Sequence, residues 1–181
     1  GTFAHYRNIP GDAHSLSSNY ILSIHQDREG VLWFGTLSGG INKLEVGKWR
    51  FPHYKKDPSN PNSLGDNMVR ALYQDPEGHL WIGTMFGGVD RFDRETGEWH
   101  HFSNDPDDPG SLSDNWTSVI YRDSSGVLWI GTRNGLDKFD PDTETFTHYQ
   151  PDPTAPPESD SNNVRVIYED QAGEFWVGTY N

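Results

Sequence analysis

Four tryptophans, Trp33, Trp81, Trp129 and Trp176, stand 48, 48 and 47 residues apart, each inside one short stretch. That stretch covers residues 27–36, 75–84, 123–132 and 170–179, with the common form D-x-x-G-x-[LF]-W-[FIV]-G-T. Two further elements keep the same period. An aromatic-x-His-aromatic piece falls at 3–6, 51–54, 99–102 and 146–149, and S-L-x-x-N falls at 15–19, 63–67 and 111–115. The fourth copy of the latter degrades to residues 158–162. The residue missing from the last interval lies after Thr132, where Arg133-Asn134-Gly135 replaces a four-residue turn such as Met85-Phe86-Gly87-Gly88. Three co-registered motifs define an internal duplication, and a duplicated chain of this period folds as a row of near-identical units.

Each unit reads as four strands. The first spans 21–25, 69–73, 117–121 and 164–168. The D-x-x-G piece then makes a tight hairpin turn, Gly supplying positive φ and the Asp carboxylate accepting the turn's own N–H groups. The Leu-Trp-Ile-Gly-Thr run is the second strand. The third is 41–44, 89–92 and 136–139, and the aromatic-x-His-aromatic piece is the fourth. Nothing shows a helical period, and strands with large residues on both faces are buried on both sides. A four-stranded unit of about 40–50 residues covered on both faces by its neighbours is a propeller blade. The expected fold is an all-β propeller of four-stranded antiparallel blades forming a single segment over 1–181. Complete blades fall at about 18–55, 66–103 and 114–150, with a partial fourth at 163–181. The strand at 2–7 is a candidate outermost strand for that fourth blade. The missing third strand predicts either a piece of a longer propeller or a sheet completed by another copy, the first being preferred.

Composition agrees and narrows the functions. Only 33% of the residues are hydrophobic, yet there are 7 Trp, 8 Tyr and 9 Phe, far too many for a disordered chain. A net charge of −13 argues against nucleic acid or an anionic lipid surface as partner. With no cysteine, disulfides, thiolate nucleophiles and Cys-based zinc sites are excluded. No apolar run approaches the ~20 residues that span a bilayer, so no direct insertion of this segment is expected.

At Leu128 to Thr132 and Leu80 to Thr84 the sequence resembles the two-component regulator propeller repeat, with its Leu-Trp-Ile-Gly-Thr core. Residues 32–36 and 175–179 match with conservative changes, and the pieces at 67–75, 135–140 and 111–115 also fit. The resemblance implies the periplasmic sensor region of bacterial membrane-bound regulators, notably hybrid sensor histidine kinases that detect carbohydrate breakdown products. It implies a periplasmic or extracellular location, a small saccharide or glycan ligand, and further blades or propeller copies as partners.

The repeated residues read as framework. Asp27, Asp75, Asp123 and Asp170 stand singly in their turns, whereas Ca²⁺ takes 6–8 oxygens. His5, His53, His101 and His148 sit on successive outermost strands and cannot converge on one zinc. Function is sought where the copies disagree, since one site needs different residues in different blades. The residues leading into strand one (Tyr20, Met68, Trp116, Asn163) and the turns between strands two and three (Leu37-Ser38, Met85-Phe86, Arg133-Asn134, Tyr180-Asn181) are expected to open on one face around the axis. Aromatic platforms mixed with amide and guanidinium donors suit a sugar. Arg70 and Arg165, one position past the lead-in Val, add charge for an anionic one. The candidate ligand-binding set is Tyr20, Met68, Arg70, Phe86, Trp116, Arg133, Asn134, Arg165 and Tyr180. With no G-x-S-x-G, H-E-x-x-H or P-loop, neither catalysis nor a cofactor is expected. A self-assembling structural propeller is the alternative, and a polysaccharide-acting enzyme comes third.

Overall fold

The computed structural model describes residues 3–45, 47–150, 152–154 and 160–180. Within them lie fourteen strands and no α-helix. The first antiparallel sheet runs β1 (Ile21–Gln26), β2 (Leu32–Thr36), β3 (Ile41–Lys43) and β4 (His53–Tyr54). The second is β5 (Val69–Gln74), β6 (Leu80–Thr84), β7 (Val89–Phe92) and β8 (Trp99–Phe102). The third is β9 (Thr117–Arg122), β10 (Leu128–Thr132), β11 (Gly135–Asp140) and β12 (Thr145–Tyr149). A two-stranded sheet, β13 (Val164–Glu169) and β14 (Phe175–Thr179), follows a 3₁₀ turn at Asp160–Asn162. Strand order in every sheet is chain order, and the innermost strands β1, β5, β9 and β13 pack side by side. This is a β-propeller.

The turn carboxylate organises each blade. In the β1–β2 turn Asp27 Oδ1 accepts the Val31 N–H at 2.7 Å while Oδ2 accepts Trp33 Nε1 at 2.8 Å. Asp75 does the same with His79 N–H and Trp81, both at 2.8 Å, and Asp123 with Val127 N–H and Trp129, also at 2.8 Å. Asp170 repeats it with Glu174 and Trp176 at 2.9 and 3.3 Å. The turn glycines, Gly30, Gly78, Gly126 and Gly173, take φ of 81, 98, 93 and 81°. Burial works against ionisation of Asp123, but donors from Trp129, Ser125 and Val127 outweigh it and hold the carboxyl below the usual range.

With their N–H groups satisfied, the indoles of the first three blades enter the apolar layer beneath the next blade. Trp33 lies among Val69, Leu80, Ile82 and Phe92. Trp81 lies among Ile120, Leu128, Ile130 and Phe139, its ring centroid 5.0 Å from that of Phe139 in an edge contact. Trp33 and Trp81 are 1% and 2% exposed, whereas Trp176, on the flank beyond the fourth sheet, is 57% exposed.

The Gly of each Leu-Trp-Ile-Gly-Thr run marks where blades meet near the axis. A Cβ at Gly35 would lie 2.7 Å from Val69 Cγ1, at Gly83 2.6 Å from Thr117 Cγ2, and at Gly131 2.7 Å from Val164 Cγ1. The first strand-one residue of the next blade occupies that space each time.

The outer junctions are less uniform. Between sheets one and two, Arg28 donates from its backbone N–H to Gln74 Oε1 and from Nη1 to the Pro76 carbonyl, both at 2.9 Å. From the other side Arg94 reaches Asp27 at 2.6 Å and Glu29 at 2.8 Å. Between sheets two and three Pro76 stands in the place of Arg28 and Pro141 in that of Arg94. A cleft of about 640 Å³ opens there, lined by Pro76, Trp81, Arg122, Lys138, Phe139 and Pro141 among others.

Two details depart from the sequence reading. The outermost strand of the first sheet contracts to His53–Tyr54, because Pro52 has no N–H for a ladder. Residues 3–7 form no strand and pair with no edge of the fourth sheet. Tyr6 instead stacks on Trp49 at 5.5 Å and meets Phe51 edge-on at 5.6 Å, both in the loop before the first blade's outermost strand. Residue 2 lies outside the described residues.

Replacing Gly83 with Ala overpacks the junction of sheets two and three and is expected to lower stability by about 1–3 kcal/mol. Urea unfolding checks this, and Thr117→Ser, which removes the opposing methyl, should recover part of the loss in the double variant.

Candidate functional site

At the axial end of every blade the strand-one ladder slips by one residue. Partners jump from Ile21 to Ser23, Val69 to Ala71, Thr117 to Val119 and Val164 to Val166, while the facing strand advances by one. Leu22, Arg70, Ser118 and Arg165 are the bulged residues left without a ladder partner. A β-bulge re-aims the side chain it carries. Just before each bulge, the lead-in residue is fastened to the strand-two to strand-three turn. Leu37 N–H donates to the Tyr20 carbonyl, Met85 to Met68, Arg133 to Trp116 and Tyr180 to Asn163, all at 3.0 Å. Lead-in and turn therefore meet on one face in all four blades.

On that face three blades contribute to one cluster. Around the Trp116 ring lie the guanidinium carbons of Arg70 at 5.8 Å, Arg133 at 5.6 Å and Arg165 at 5.7 Å. Arg165 also lies 5.0 Å from the Tyr180 ring centroid, and Phe86 is tilted against Trp116 at 6.5 Å. Phe86 and Tyr180 are 63% and 61% exposed, so the cluster opens outward between two aromatic walls. None of the three arginines forms an ion pair among the described residues. Burial, and then the Arg165 charge, press the Arg70 guanidinium below its ordinary pKa. Arg70 Nε, Arg165 Nε, Trp116 Nε1, Ser118 Oγ and Asn163 Oδ1 are buried without a hydrogen-bond partner among the described residues.

Of the nine candidates, Arg70, Phe86, Trp116, Arg133, Arg165 and Tyr180 come together. Tyr20 (70% exposed) and Met68 share the face, but neither makes a ring or cation contact with the cluster. The Asn134 amide is spent within its own blade: its Oδ1 accepts Gln150 Nε2 at 3.1 Å and its Nδ2 donates to the Ser113 carbonyl at 3.4 Å. Asn181 lies outside the described residues. Ser118 was not singled out from the sequence, although the register that gave Arg70 and Arg165 points to it.

The repeated histidines hold the loops beneath this face. His101 Nδ1 bonds Asp90 Oδ1 at 2.7 Å and its Nε2 the Pro61 carbonyl at 2.9 Å, while Asp90 Oδ2 accepts the Gly65 N–H at 2.7 Å. His148 and Asp137 repeat the arrangement with Pro109 and Ser113. In the first blade Asn42 replaces the acid, and His53 bonds the Ser15 carbonyl directly at 2.7 Å. His5 lies on no strand. The S-L-x-x-N asparagines anchor each linker: Asn67 Oδ1 accepts Lys56 N–H, Asn115 accepts Asn104 N–H, and Asn162 accepts Asp152 N–H despite the degraded motif around it.

The family described as two component regulator propeller matches four times, at residues 15–38, 63–86, 111–134 and 158–181. The chain belongs to that family. Each match in this regulator propeller runs from the S-L-x-x-N loop to the turn after the Trp strand. All six clustered residues thus lie inside the family repeat, at positions where its copies differ.

Among solved structures, the extracellular domain of the hybrid two component system BT3049 from B. thetaiotaomicron is 31% identical, with a TM-score of 0.74 over 91% of this chain and 28% of that one. The extracellular domain of BT4673 from the same organism is 26% identical, with a TM-score of 0.74 over 96% of this chain and 23% of that one. The regulator propeller thus spans about a quarter of the length of these domains. Virginiamycin B lyase from Staphylococcus aureus, 17% identical with a TM-score of 0.62 over 87% of this chain and 48% of that one, shares the fold. No curated protein matches the chain. Among the described residues no helix is long and apolar enough to cross a membrane.

The His101 tether of the regulator propeller predicts a pH dependence. The Asp90 carboxylate, with the Pro61 carbonyl, raises the His101 pKa against the effect of burial, and burial raises that of Asp90. Folded, both groups hold a proton more tightly than in the unfolded chain, so stability falls as pH rises. The imidazolium contribution is complete below the ordinary pKa of about 6.5 and is lost as pH climbs through the raised value. Asp90→Asn, the amide that the first blade uses, should be less stable than the parent at about pH 6, with the gap closing toward pH 9. Melting curves across that range check it; a gap that is constant with pH contradicts the linkage.

Proposed function

We propose that this chain is the ligand-recognition part of a bacterial signalling sensor, lies in the periplasm or outside the cell, and binds a saccharide at the axial face without turning it over. Membership of the regulator propeller family and likeness to extracellular domains of two component systems support the sensor role. The observation that carries the ligand reading is the cluster at Trp116. An indole floor, two exposed aromatic walls and three guanidiniums without carboxylate partners converge there from three blades. Sugar rings offer C–H faces for aromatic walls and hydroxyls for directional donors. Because the cluster joins sheets two, three and four, an occupant fixes their relative placement, and the signal is a change in docking with the remaining blades or a neighbouring propeller.

Calorimetry against a broad oligosaccharide panel tests this. A binder is expected whose affinity falls at least roughly tenfold, about 1.4 kcal/mol, in Trp116→Ala, with the circular dichroism unchanged. An empty result across the panel contradicts the saccharide reading.

Self-assembly is the second reading. Val166, Tyr168 and Trp176 are 54%, 58% and 57% exposed on the outer flank of the fourth sheet, a face that a further blade of the same protein or of another copy can cover. Light scattering distinguishes the readings: a mass that grows with concentration supports assembly, and a monomer throughout removes it.

A further inference from the structure

Three like charges gathered on one indole need an explanation in a chain whose net charge is −13. Where arginines of this chain meet carboxylates they pair closely, as Arg91 does with Glu144 at 2.7 Å and Arg94 with Asp27 and Glu29. The carboxylates nearest in sequence to the cluster are turned to the backbone. Asp66 accepts the Met68 N–H at 2.9 Å and Asp114 the Trp116 N–H at 2.6 Å, each as a local turn. Half-buried Arg70 and Arg165 leave the ladder at the bulge, and their Nε atoms have no partner among the described residues. Asn163, at the foot of Arg165 and 2% exposed, leaves Oδ1 unpartnered as well. Buried polar groups are normally paired, and a half-satisfied set is a candidate for completion by a ligand.

We propose that the axial face is an anion seat, in which one carboxylate or sulfate group of the ligand sits among Arg70, Arg133 and Arg165 beside Trp116. This rests on the saccharide reading for what carries the group, and it assigns the class: a uronate-containing or sulfated sugar in preference to a neutral one. Planar guanidiniums suit both anions, because two parallel N–H donors match two oxygens of either group. The sugar body then lies between Phe86, which is tilted against Trp116, and Tyr180, which lies against Arg165. Arg70 and Arg165 share the Trp116 ring, so each charge disfavours the other. An anion relieves that repulsion and ties sheets two, three and four together.

Thermal melting and calorimetry on the chain test this with four probes: a galacturonate tetrasaccharide, a sulfated glycosaminoglycan tetrasaccharide, a neutral galactose tetrasaccharide and inorganic sulfate. At least one acidic oligosaccharide is expected to bind tenfold or more tighter than the neutral one. That margin should shrink as salt rises from about 0.05 M to about 0.5 M. Arg70→Gln and Arg165→Gln should each abolish the preference, while the unliganded variants melt no lower than the parent; Arg70→Lys, keeping the charge without the fork, should retain part of it. Equal binding of neutral and acidic sugars overturns the anion seat and leaves the saccharide reading standing. A response to inorganic sulfate that Arg70→Gln removes, with no oligosaccharide binding, upholds the seat and overturns the saccharide reading. No response to any probe overturns both.

Discussion

Every blade depends on a carboxylate that satisfies two donors of different kinds. An indole N–H carried into an apolar layer without a partner costs about 1–3 kcal/mol. Here the Asp that caps the hairpin turn supplies that partner from six residues upstream, so turn geometry and ring placement are fixed by one group. The ring can then enter the next blade with no exposed polar edge, and blade spacing follows from its thickness. Toward the axis, the missing Cβ of Gly35, Gly83 and Gly131 lets the next strand approach closely. Thick at the tryptophan and thin at the glycine, each sheet is a wedge, and wedges set side by side curve about a common line.

A second group of buried polar contacts joins this frame to its working face. The acid of β7 or β11 faces a histidine on the outermost strand and, with its other oxygen, a backbone N–H of the loop leading to strand one. That loop ends at Met68 or Trp116. These lead-in residues are therefore placed by hydrogen bonds that cross the whole width of a blade, and the cluster stands on rigid supports.

Much of this is readable from residue spacing because the repeat compares the chain with itself. Four coincident D-x-x-G…W stretches reveal hairpins, strand order and turn caps, and the positions where the copies disagree pick out Arg70, Phe86, Trp116, Arg133, Arg165 and Tyr180. What spacing cannot convey is how a side chain's capacity is used. Asn134 looks like a free amide until Gln150 and Ser113 are placed around it. Ser118 shares the repeat position of Arg70 and Arg165, but that this position is a bulge is a property of backbone pairing. Residues 3–6 carry the outer-strand motif, yet Trp49 and Phe51 offer Tyr6 a stacking surface in place of a ladder. The cleft beside Pro76 and Pro141 comes from donors that those two prolines lack, which only comparison with Arg28 and Arg94 reveals.

The recurring bulge separates inheritance from adaptation. A residue with no ladder partner contributes little to holding its sheet together, so Leu22, Arg70, Ser118 and Arg165 can be exchanged for other side chains with small effect on the scaffold. One such letter per blade, read around the axis, amounts to an address that can be rewritten while the architecture stays constant, so new specificities can arise without a new fold.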